Sequence, residues 1–287
     1  MTIKGIIAGD ASGATLYGTP LPLCFIGGSY RIIDPSISFL SRICGKIDVV
    51  CSCFHKEIER YIKNHEANRV SSLVSVIPSG YVYGSGKTLS FSELIKASAE
   101  EEDKTIDAFA VCSSNVVFNE NAGKIVSLFE KHGKTLVLSN EERTLPFFLI
   151  EHDLLIYYLK KDQICGLPDK GNRYFAEVFA EKVDGERDYY DMNMRFVNEP
   201  LLCRGLFEKE DDEIISSCYN APPAAFGENA DVSSAVFTDG CVINGSVKNS
   251  VLLPFSRIED GAVIKNCVVL PGRTVKSGEI CENTVVK

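Results

Sequence analysis

The sequence contains no apolar run that approaches the roughly 20 residues needed for a membrane-spanning helix. Its longest apolar stretches, such as residues 145–150, are far shorter. Near the amino terminus, Gly9 and Asp10 end the apolar residues 6–8 too early for the core of a secretory signal. The formal net charge is −9, and no cluster of Lys or Arg is present to attract a phosphate backbone. We therefore expect a cytoplasmic protein that binds neither membrane nor nucleic acid.

The sequence also lacks the spacings typical of zinc sites and of disulfide frameworks. Eleven cysteines are present, but they are scattered, and the close pair Cys51 and Cys53 does not form a CxxC motif. The four histidines show neither HExxH nor HxxxH spacing. Scattered cysteines in a long chain without a secretory signal favour reduced thiols. The sequence thus predicts neither a metal site nor disulfides.

Short apolar runs alternate with helix-like stretches over the first two thirds of the chain, which is typical of βαβ units around a mostly parallel sheet. Ser90 and Glu93 form a capping-box pattern ahead of one such helix. Residues 162–191 give weak signals and are left unassigned. The pattern predicts strands at 4–8, 47–51, 109–112, 135–138 and 147–150, and helices at 56–64, from about 91, at 121–132 and at 154–159.

The periodicity changes after Pro222 and Pro223, a pair that marks a linker. From Val232 onward, branched apolar residues recur every six positions among Gly, Asn, Asp and Ser. This period is typical of a parallel β-helix with about 18 residues per coil, whereas an antiparallel sandwich would alternate every two residues. We predict an α/β domain over residues 1–221, followed by a left-handed parallel β-helix of three to four coils over residues 226–287.

Three stretches of the sequence resemble signatures of one enzyme family. Residues 27–34 read GGSYRIID, residues 222–230 read PPAAFGENA, and residues 240–250 read GCVINGSVKNS. All three resemble bacterial glucose-1-phosphate adenylyltransferases, also called ADP-glucose pyrophosphorylases, and most closely their non-catalytic GlgD-type subunits. The resemblance implies a nucleotidyltransferase (Rossmann-like) fold for the first domain. It also implies a relation to the synthesis of ADP-glucose from ATP and glucose 1-phosphate, which in catalytic members requires magnesium.

The nucleotide loop of the catalytic members corresponds here to a degraded segment. Gly9, Gly13 and Thr15 occupy positions of that loop, but Asp10 stands where a glycine belongs. Residues 5–30 contain neither Lys nor Arg. Adenylyl transfer brings two anions together and therefore needs cations around the triphosphate. The resemblance thus implies a relic loop that cannot neutralise a triphosphate.

The rest of the former pocket is altered in a similar way. Ser114 stands at the position of the metal-binding aspartate, beside Asn115, and a serine hydroxyl alone is a poor magnesium ligand. Gly84 and Lys87 lie in the segment that replaces another nucleotide-facing motif. The resemblance therefore implies no catalytic residue, no metal ligand and no cofactor, with magnesium needed only if the enzyme is active after all.

In the retained GGSYRIID signature, Gly27, Gly28, Arg31 and Asp34 match the family pattern. We interpret this signature as structural, with Arg31 and Asp34 paired inside the fold or at a subunit contact. Exposed coil ends of a short β-helix also predict a homo-oligomer, or a hetero-oligomer with a catalytic homologue.

Three functions fit this sequence. The first is a non-catalytic subunit that tunes a catalytic adenylyltransferase in glycogen synthesis, with residual binding of a sugar phosphate or nucleotide left open. The second is an active nucleotidyltransferase with a rearranged site. The third is a β-helix acyltransferase, which usually relies on a catalytic histidine, and the chain has none after His152. We expect the first.

Overall fold

The computed structural model describes residues 1–9, 14–64, 68–79, 89–99, 105–140, 144–164, 171–176, 179–207, 213–217 and 221–287, without the side chains of 68–69 and 202–204. The chain divides into two compact units. The first unit comprises residues 1–24, 32–182 and 205–217, and the second comprises residues 25–31, 183–204 and 218–287. Among the described helices, none combines the length and the apolar character that crossing a bilayer requires.

The secondary structure is mixed. The strands are β1 Ile3–Ala8, β2 Thr15–Leu16, β3 Thr19–Pro20, β4 Phe25–Ile26, β5 Tyr30–Arg31, β6 Lys46–Cys51, β7 Val74–Pro78, β8 Ala108–Ser113, β9 Val116–Phe118, β10 Thr135–Ser139, β11 Thr144–Glu151, β12 Asn172–Phe175, β13 Ala180–Lys182, β14 Ala225–Phe226, β15 Asp231–Phe237, β16 Val242–Ile243, β17 Ser246–Leu252, β18 Arg257–Ile258, β19 Val263–Val269, β20 Thr274–Val275 and β21 Ile280–Val286. The helices are α1 Asp34–Ile43, α2 His55–Lys63, α3 Asn68–Leu73, α4 Phe91–Ala99, α5 Ala122–His132, α6 His152–Lys160, α7 Glu186–Asn198 and α8 Pro200–Phe207.

A seven-stranded sheet with the order β12-β10-β11-β8-β1-β6-β7 forms the centre of the first unit. Within this sheet β11 runs antiparallel to both of its neighbours, and the other adjacent strands are parallel. The predicted mostly parallel sheet is therefore confirmed. The reversed direction of β11 was not predicted, because a buried strand is an apolar run whichever way it points.

Helices cover both faces of this sheet. Successive side chains of a strand point to opposite faces. Along β1, Ile3 and Ile7 join the core that contains α1, α2 and α5, whereas Ile6 and Ala8 join the core that contains α4 and α6. A strand buried on both faces needs apolar residues at consecutive positions, which is why β1 shows no polar alternation.

The strands and helices that we predicted in the first unit are present, with bounds that differ by at most three residues. The capping box is confirmed: the Ser90 amide donates to Glu93 Oε2 at 2.8 Å, and the Glu93 amide donates to Ser90 Oγ at 3.3 Å. The predicted helix end at Gly133 is also confirmed, with a left-handed φ of 65° there. In the unassigned stretch the structure has β12, β13 and the start of α7.

The second unit contains two parallel sheets, ordered β14-β16-β18-β20 and β15-β17-β19-β21. This stacking of parallel strands is the arrangement of a hexapeptide-repeat β-helix. Each long strand bends at one residue with a left-handed φ of 45° to 52°, so that it covers two sides of its coil. The bend residues are Ser234, Asn249, Asn266 and Asn283.

The coils are shorter than the 18 residues that the sequence predicts. Val263 pairs with Ile280, 17 residues later, and Asp231 pairs with Ser246, 15 residues later. The long strands turn their corner at a single left-handed residue, so two sides take fewer residues than two full hexapeptides. The six-residue period therefore describes the spacing between some neighbouring sides of the coil and not one third of its length.

Helix α7 explains why residues 183–204 belong to the second unit, although we predicted that the β-helix begins at residue 226. This helix packs along β15, β17 and β19. The Tyr190 hydroxyl donates to the main-chain carbonyl of Asn266 at 2.8 Å. Within α7, Met192, Met194 and Phe196 are each less than a tenth exposed. Burial of such side chains stabilises the packing of α7 in the second unit.

An ion pair lies inside the first unit, between β1, β6 and α4. Lys4 Nζ is 2.6 Å from Asp48 Oδ2, and these side chains are 2% and 1% exposed. Ser98 Oγ donates to the same carboxylate oxygen at 2.8 Å, and Lys4 Nζ donates to the Ser98 carbonyl at 3.3 Å. The hydrogen bonds that Lys4 and Asp48 make with Ser98 thus link helix α4 to strands β1 and β6.

We predict that Asp48→Asn lowers the free energy of unfolding by about 3–5 kcal/mol, because it leaves the buried Lys4 charge without its counter-ion. Urea denaturation monitored by far-UV circular dichroism measures this change. Glu59→Gln is the matched control, since Glu59 and Lys63 are also 2.6 Å apart but lie on the surface. That variant should unfold close to the parent midpoint. Equal losses in both variants would contradict the assignment of the buried pair.

Candidate functional site

The strand order fixes where a ligand site is expected. Strands β6 and β7 extend the sheet from one side of β1, and β8 extends it from the other. In open α/β sheets, ligands bind outside the carboxyl ends of the strands at this switch point. Strands β1 and β8 end at Ala8 and Ser113, which pair in register. The candidate site is therefore formed by Gly9 and by residues 113–115.

Ser114 closes the gap between these two strand ends. Its amide donates to the Ala8 carbonyl at 3.0 Å, and its hydroxyl donates to the Gly9 carbonyl at 2.7 Å. The side chain is buried, as Ser114 is 2% exposed. Ser114 stands where the resemblance places the metal-binding aspartate of catalytic relatives, and its hydroxyl proton is used in a hydrogen bond within the protein.

Gly9 is required by the packing at the end of β1. Its amide donates to the Val50 carbonyl at 2.8 Å. A Cβ at this position would lie 2.5 Å from Cys51 Sγ and 3.2 Å from the Val50 carbonyl oxygen. The glycine therefore permits close contact with β6, and its presence needs no bound phosphate as an explanation.

The other predicted loop and pocket residues are distributed as follows. Thr15 begins β2, where it pairs with Pro20 of β3, and it is exposed. Asn115 is mostly buried, and its Oδ1 accepts a hydrogen bond from Ser113 Oγ at 2.6 Å. The structure therefore brings Gly9, Ser114 and Asn115 together. Gly13, Gly84 and Lys87 lie outside the described residues.

The described groups at the switch point do not fit a magnesium ion. They are hydroxyls, an amide and main-chain carbonyls, whereas magnesium at a phosphate site is held by carboxylates. An aspartate at position 114 would place a carboxylate at the Gly9 carbonyl that now accepts the serine hydroxyl. Within the described ranges, no three or more His, Cys, Asp or Glu side chains form a metal-binding group. No cysteine there takes part in a disulfide.

The first half of the GGSYRIID signature forms the hairpin between β4 and β5 in the second unit. Gly27 and Gly28 have φ angles of 55° and 104°, which favour glycine. The Gly27 amide donates to Oδ1 of the buried Asn193 at 3.2 Å. A Cβ on Gly28 would lie 2.9 Å from Thr238 Cγ2. The Arg31 guanidinium lies over the Phe25 ring, 3.3 Å from its centroid.

The second half of the signature lies in the first unit. Asp34 is the first residue of α1 and is fully buried. The Tyr61 hydroxyl of α2 donates to Asp34 Oδ1 at 2.5 Å, and the Ser217 amide donates to that hydroxyl at 3.4 Å. The structure thus gives both Arg31 and Asp34 partners inside the fold, and their pairing with each other stays a prediction.

Tyr61 and Asn193 were not identified from the sequence as partners of this signature. In the sequence, Tyr61 is one of the apolar residues that recur at helical spacing. That spacing gives no information about the partner of its hydroxyl. Asn193 is an isolated amide in α7, with no spacing that links it to residue 27. Burial, followed by the Asp34 charge, raises the pKa of Tyr61 well above its ordinary value.

Comparisons with known proteins agree with this architecture. A family model described as "GlmU-like, C-terminal hexapeptide" matches residues 222–287. The glucose-1-phosphate adenylyltransferases of Bacillus thuringiensis (strain Al Hakam) and Bacillus anthracis are each 29% identical over 107 residues. That of Bacillus mycoides (strain KBAB4) is 28% identical over 107 residues.

Each of these alignments covers 36% of this chain and 28% of the relative. The chain is thus matched over little more than a quarter of the relatives' length. The similarity supports a distant relationship to the adenylyltransferases, and the family match supports a hexapeptide β-helix in the second unit.

We predict that Tyr61→Phe lowers the free energy of unfolding by about 1–3 kcal/mol at neutral pH, because the buried Asp34 carboxyl loses a hydrogen-bond donor. The raised pKa of Tyr61 also makes the stability difference between parent and variant depend on pH. Below pH about 10 the tyrosine is protonated in both states, and above it the unfolded state loses the proton first. Stability therefore falls as the pH rises above about 10, and the difference between parent and variant should narrow from pH about 10 to 11 and beyond.

Urea unfolding across this pH range measures the effect. Buried thiols such as Cys112, whose pKa burial raises to about 12, also weaken the fold at high pH, but equally in both proteins. Tyr157→Phe is the control, because Tyr157 is 49% exposed. The free energy of unfolding of this control should fall with rising pH as much as that of the parent. A Tyr61→Phe protein with the parent's full alkaline loss would refute the role of Tyr61.

Proposed function

We propose that this chain is a non-catalytic, GlgD-like subunit that associates with a catalytic glucose-1-phosphate adenylyltransferase and modulates it in glycogen synthesis. One observation carries the proposal: the hydroxyl of Ser114 donates to the Gly9 carbonyl at the switch point of the sheet. At this point a catalytic site would need a group that binds metal or phosphate. The described residues there satisfy one another instead.

The similarity to adenylyltransferases supports a relationship to that family. The chemistry of the site supports a subunit without catalytic activity. Transition-state stabilisation of phosphoryl chemistry relies on preorganised cations and on metal-bound oxygens. Residues 5–30, which follow the start of β1, contain neither Lys nor Arg. A nucleotidyltransferase-type fold for the first unit and a left-handed β-helix in the second are parts of the same proposal.

We predict that the purified chain does not form ADP-glucose from ATP, glucose 1-phosphate and magnesium at a useful rate. Loss of one preorganised electrostatic contact typically lowers turnover about 10²- to 10³-fold, and here several such groups are absent. The measurement is pyrophosphate release, with a catalytic homologue assayed in parallel. A rate within about tenfold of that homologue would contradict the proposal and favour an active enzyme with a rearranged site.

The same assay tests whether this chain changes the activity of a catalytic adenylyltransferase. The chain is added at increasing ratios to the catalytic homologue from the same host, and the apparent affinities for ATP and glucose 1-phosphate are followed. The proposed role requires a saturable change in rate or affinity, with co-migration of the two proteins in size-exclusion chromatography. Independent behaviour of the two proteins in both measurements would contradict it.

We further predict that Ser114→Asp does not restore turnover. The carboxylate would face the Gly9 carbonyl in a buried position, and the nucleotide would still lack cations around its phosphates. Ser114→Ala is the control that removes the hydroxyl without adding charge. Thermal unfolding should rank the parent as most stable, the alanine variant next and the aspartate variant last. Activity of the aspartate variant near that of a catalytic homologue would show that the remainder of the site is intact.

A further inference from the structure

A groove of about 410 Å³ lies between helix α7 and three coils of the β-helix, entirely within the second unit. Its volume falls within the range of small-molecule pockets, roughly 300–1,000 Å³. One wall contains Tyr190, Met194 and Asn198, which follow one another at intervals of four residues along α7. The other wall is formed by the asparagines at the bends of β17, β19 and β21.

These asparagines form a continuous ladder along the groove. Asn249 Nδ2 donates to Asn266 Oδ1, and Asn266 Nδ2 donates to Asn283 Oδ1, both at 2.8 Å. Neighbouring strands of a sheet are about 4.8 Å apart, so the side-chain amides recur at that spacing. A side-chain amide nitrogen carries two protons, and each step of the ladder uses one. Asn283, which ends the ladder, donates neither of its side-chain amide protons to a described residue.

The left-handed bend does not by itself require an asparagine. Asparagine adopts this conformation more readily than most residues, but Ser234 occupies the corresponding bend of the first coil. Ser234 does not line the groove, whereas the asparagines at the other three bends do. The amide side chains are thus present where the groove is present.

The charged residues of the helix wall are paired along α7. Arg187 Nε lies 2.7 Å from Asp191 Oδ2, and Arg195 Nε lies 3.1 Å from Glu199 Oε1. Among the described residues, Arg195 is the one cation that lines the groove. The groove is therefore polar and close to electrically neutral, and it lacks the group of cations that would favour a phosphate.

An aromatic ring and a thioether supply the apolar part of the groove. The Tyr190 hydroxyl donates to the main-chain carbonyl of Asn266 at 2.8 Å, which holds the ring beside the ladder. Met194 is buried. A sugar ring presents hydroxyls at its edge and C–H groups on its faces. Amides beside a fixed aromatic ring match both kinds of group.

We propose that this groove binds a neutral linear oligosaccharide, with one hexose ring at each of the three asparagines of the ladder. Side-chain amides both donate and accept hydrogen bonds, as sugar hydroxyls do. The distance between the two linking oxygens of a pyranose ring is similar to the spacing of the ladder, so successive rings meet successive amides. This inference concerns a site in the second unit and does not depend on the proposed function.

An extended peptide fits the ladder less well than a glycan. Groups on one face of an extended peptide recur every two residues, or roughly 6.6 Å, whereas the amides recur at about 4.8 Å. A phosphate or sugar phosphate fits less well too, because the Arg195 guanidinium is already paired with Glu199.

The test is an NMR titration of the ¹⁵N-labelled full chain with maltotriose, cellotriose and glucose. The side-chain amide signals of Asn249, Asn266 and Asn283 report on the groove. We expect at least one trisaccharide to shift these signals with a Kd below about 1 mM, and glucose to bind at least about tenfold more weakly because it meets one step of the ladder. The trisaccharide that binds identifies the linkage. Its Kd should change less than about twofold between low and high salt, since the ligand carries no charge.

Asn283→Asp keeps the oxygen that accepts from Asn266 and removes both side-chain amide protons, so the Kd of the trisaccharide should rise at least about tenfold. Tyr190→Ala, which removes the ring, should have an effect of similar size, whereas Tyr190→Phe keeps the ring and should stay within about threefold of the parent. Asn64→Asp makes the same chemical change as Asn283→Asp on an exposed residue of the first unit and is the matched control.

Three outcomes would overturn the proposal. One is the absence of a saturable shift with either trisaccharide up to about 10 mM. Another is tighter binding of inorganic phosphate or glucose 1-phosphate than of the trisaccharides at these amides. The third is a trisaccharide Kd that Asn283→Asp and Asn64→Asp change equally. The backbone amide spectrum shows whether each variant is folded.

Discussion

The hydrogen bond from the Ser114 hydroxyl to the Gly9 carbonyl joins the carboxyl ends of strands β1 and β8 at the centre of the first unit. It lies beside β1, where the strand order of the sheet reverses, the position at which open α/β sheets bind ligands. A hydroxyl that donates its proton to a main-chain carbonyl can donate to a phosphate only by leaving that buried carbonyl unsatisfied, and its uncharged oxygen is a weak ligand for a divalent metal. The described side chains of Ser113 and Ser114 at this point are hydrogen-bonded within the protein.

Much of this fold follows from the sequence because burial dictates residue type. Strand β1 and its neighbours in the sheet are buried on both faces, so apart from the ion pair of Lys4 and Asp48 they appear as mainly apolar runs. Helix α4 was placed by the pair Ser90 and Glu93, whose reciprocal hydrogen bonds the structure contains. These are local signals, and each one depends on residues a few positions apart.

The features that the sequence did not reveal depend on residues far apart in the chain. The Tyr61 hydroxyl reaches Asp34, and the amide of Gly27 reaches Asn193. The coil repeat of 17 residues was obscured because six-residue spacing describes neighbouring sides, not stacked coils. The asparagines at 249, 266 and 283 carry the true repeat, since the side-chain amide of the first donates to the second, and that of the second to the third, both at 2.8 Å.

The GGSYRIID segment makes contacts inside the fold that account for its residues without a bound substrate. Gly27, Gly28 and Arg31 belong to the second unit, where the glycines fit a turn against Asn193 and Thr238. Asp34 belongs to the first unit, where it is buried beneath the Tyr61 hydroxyl. None of these contacts involves a substrate, and substitution at any of them would disturb packing or leave a buried polar group unpaired. The residues of this segment are therefore explained by packing, whereas the polar groups at the switch point of the sheet are those of Gly9 and Ser114.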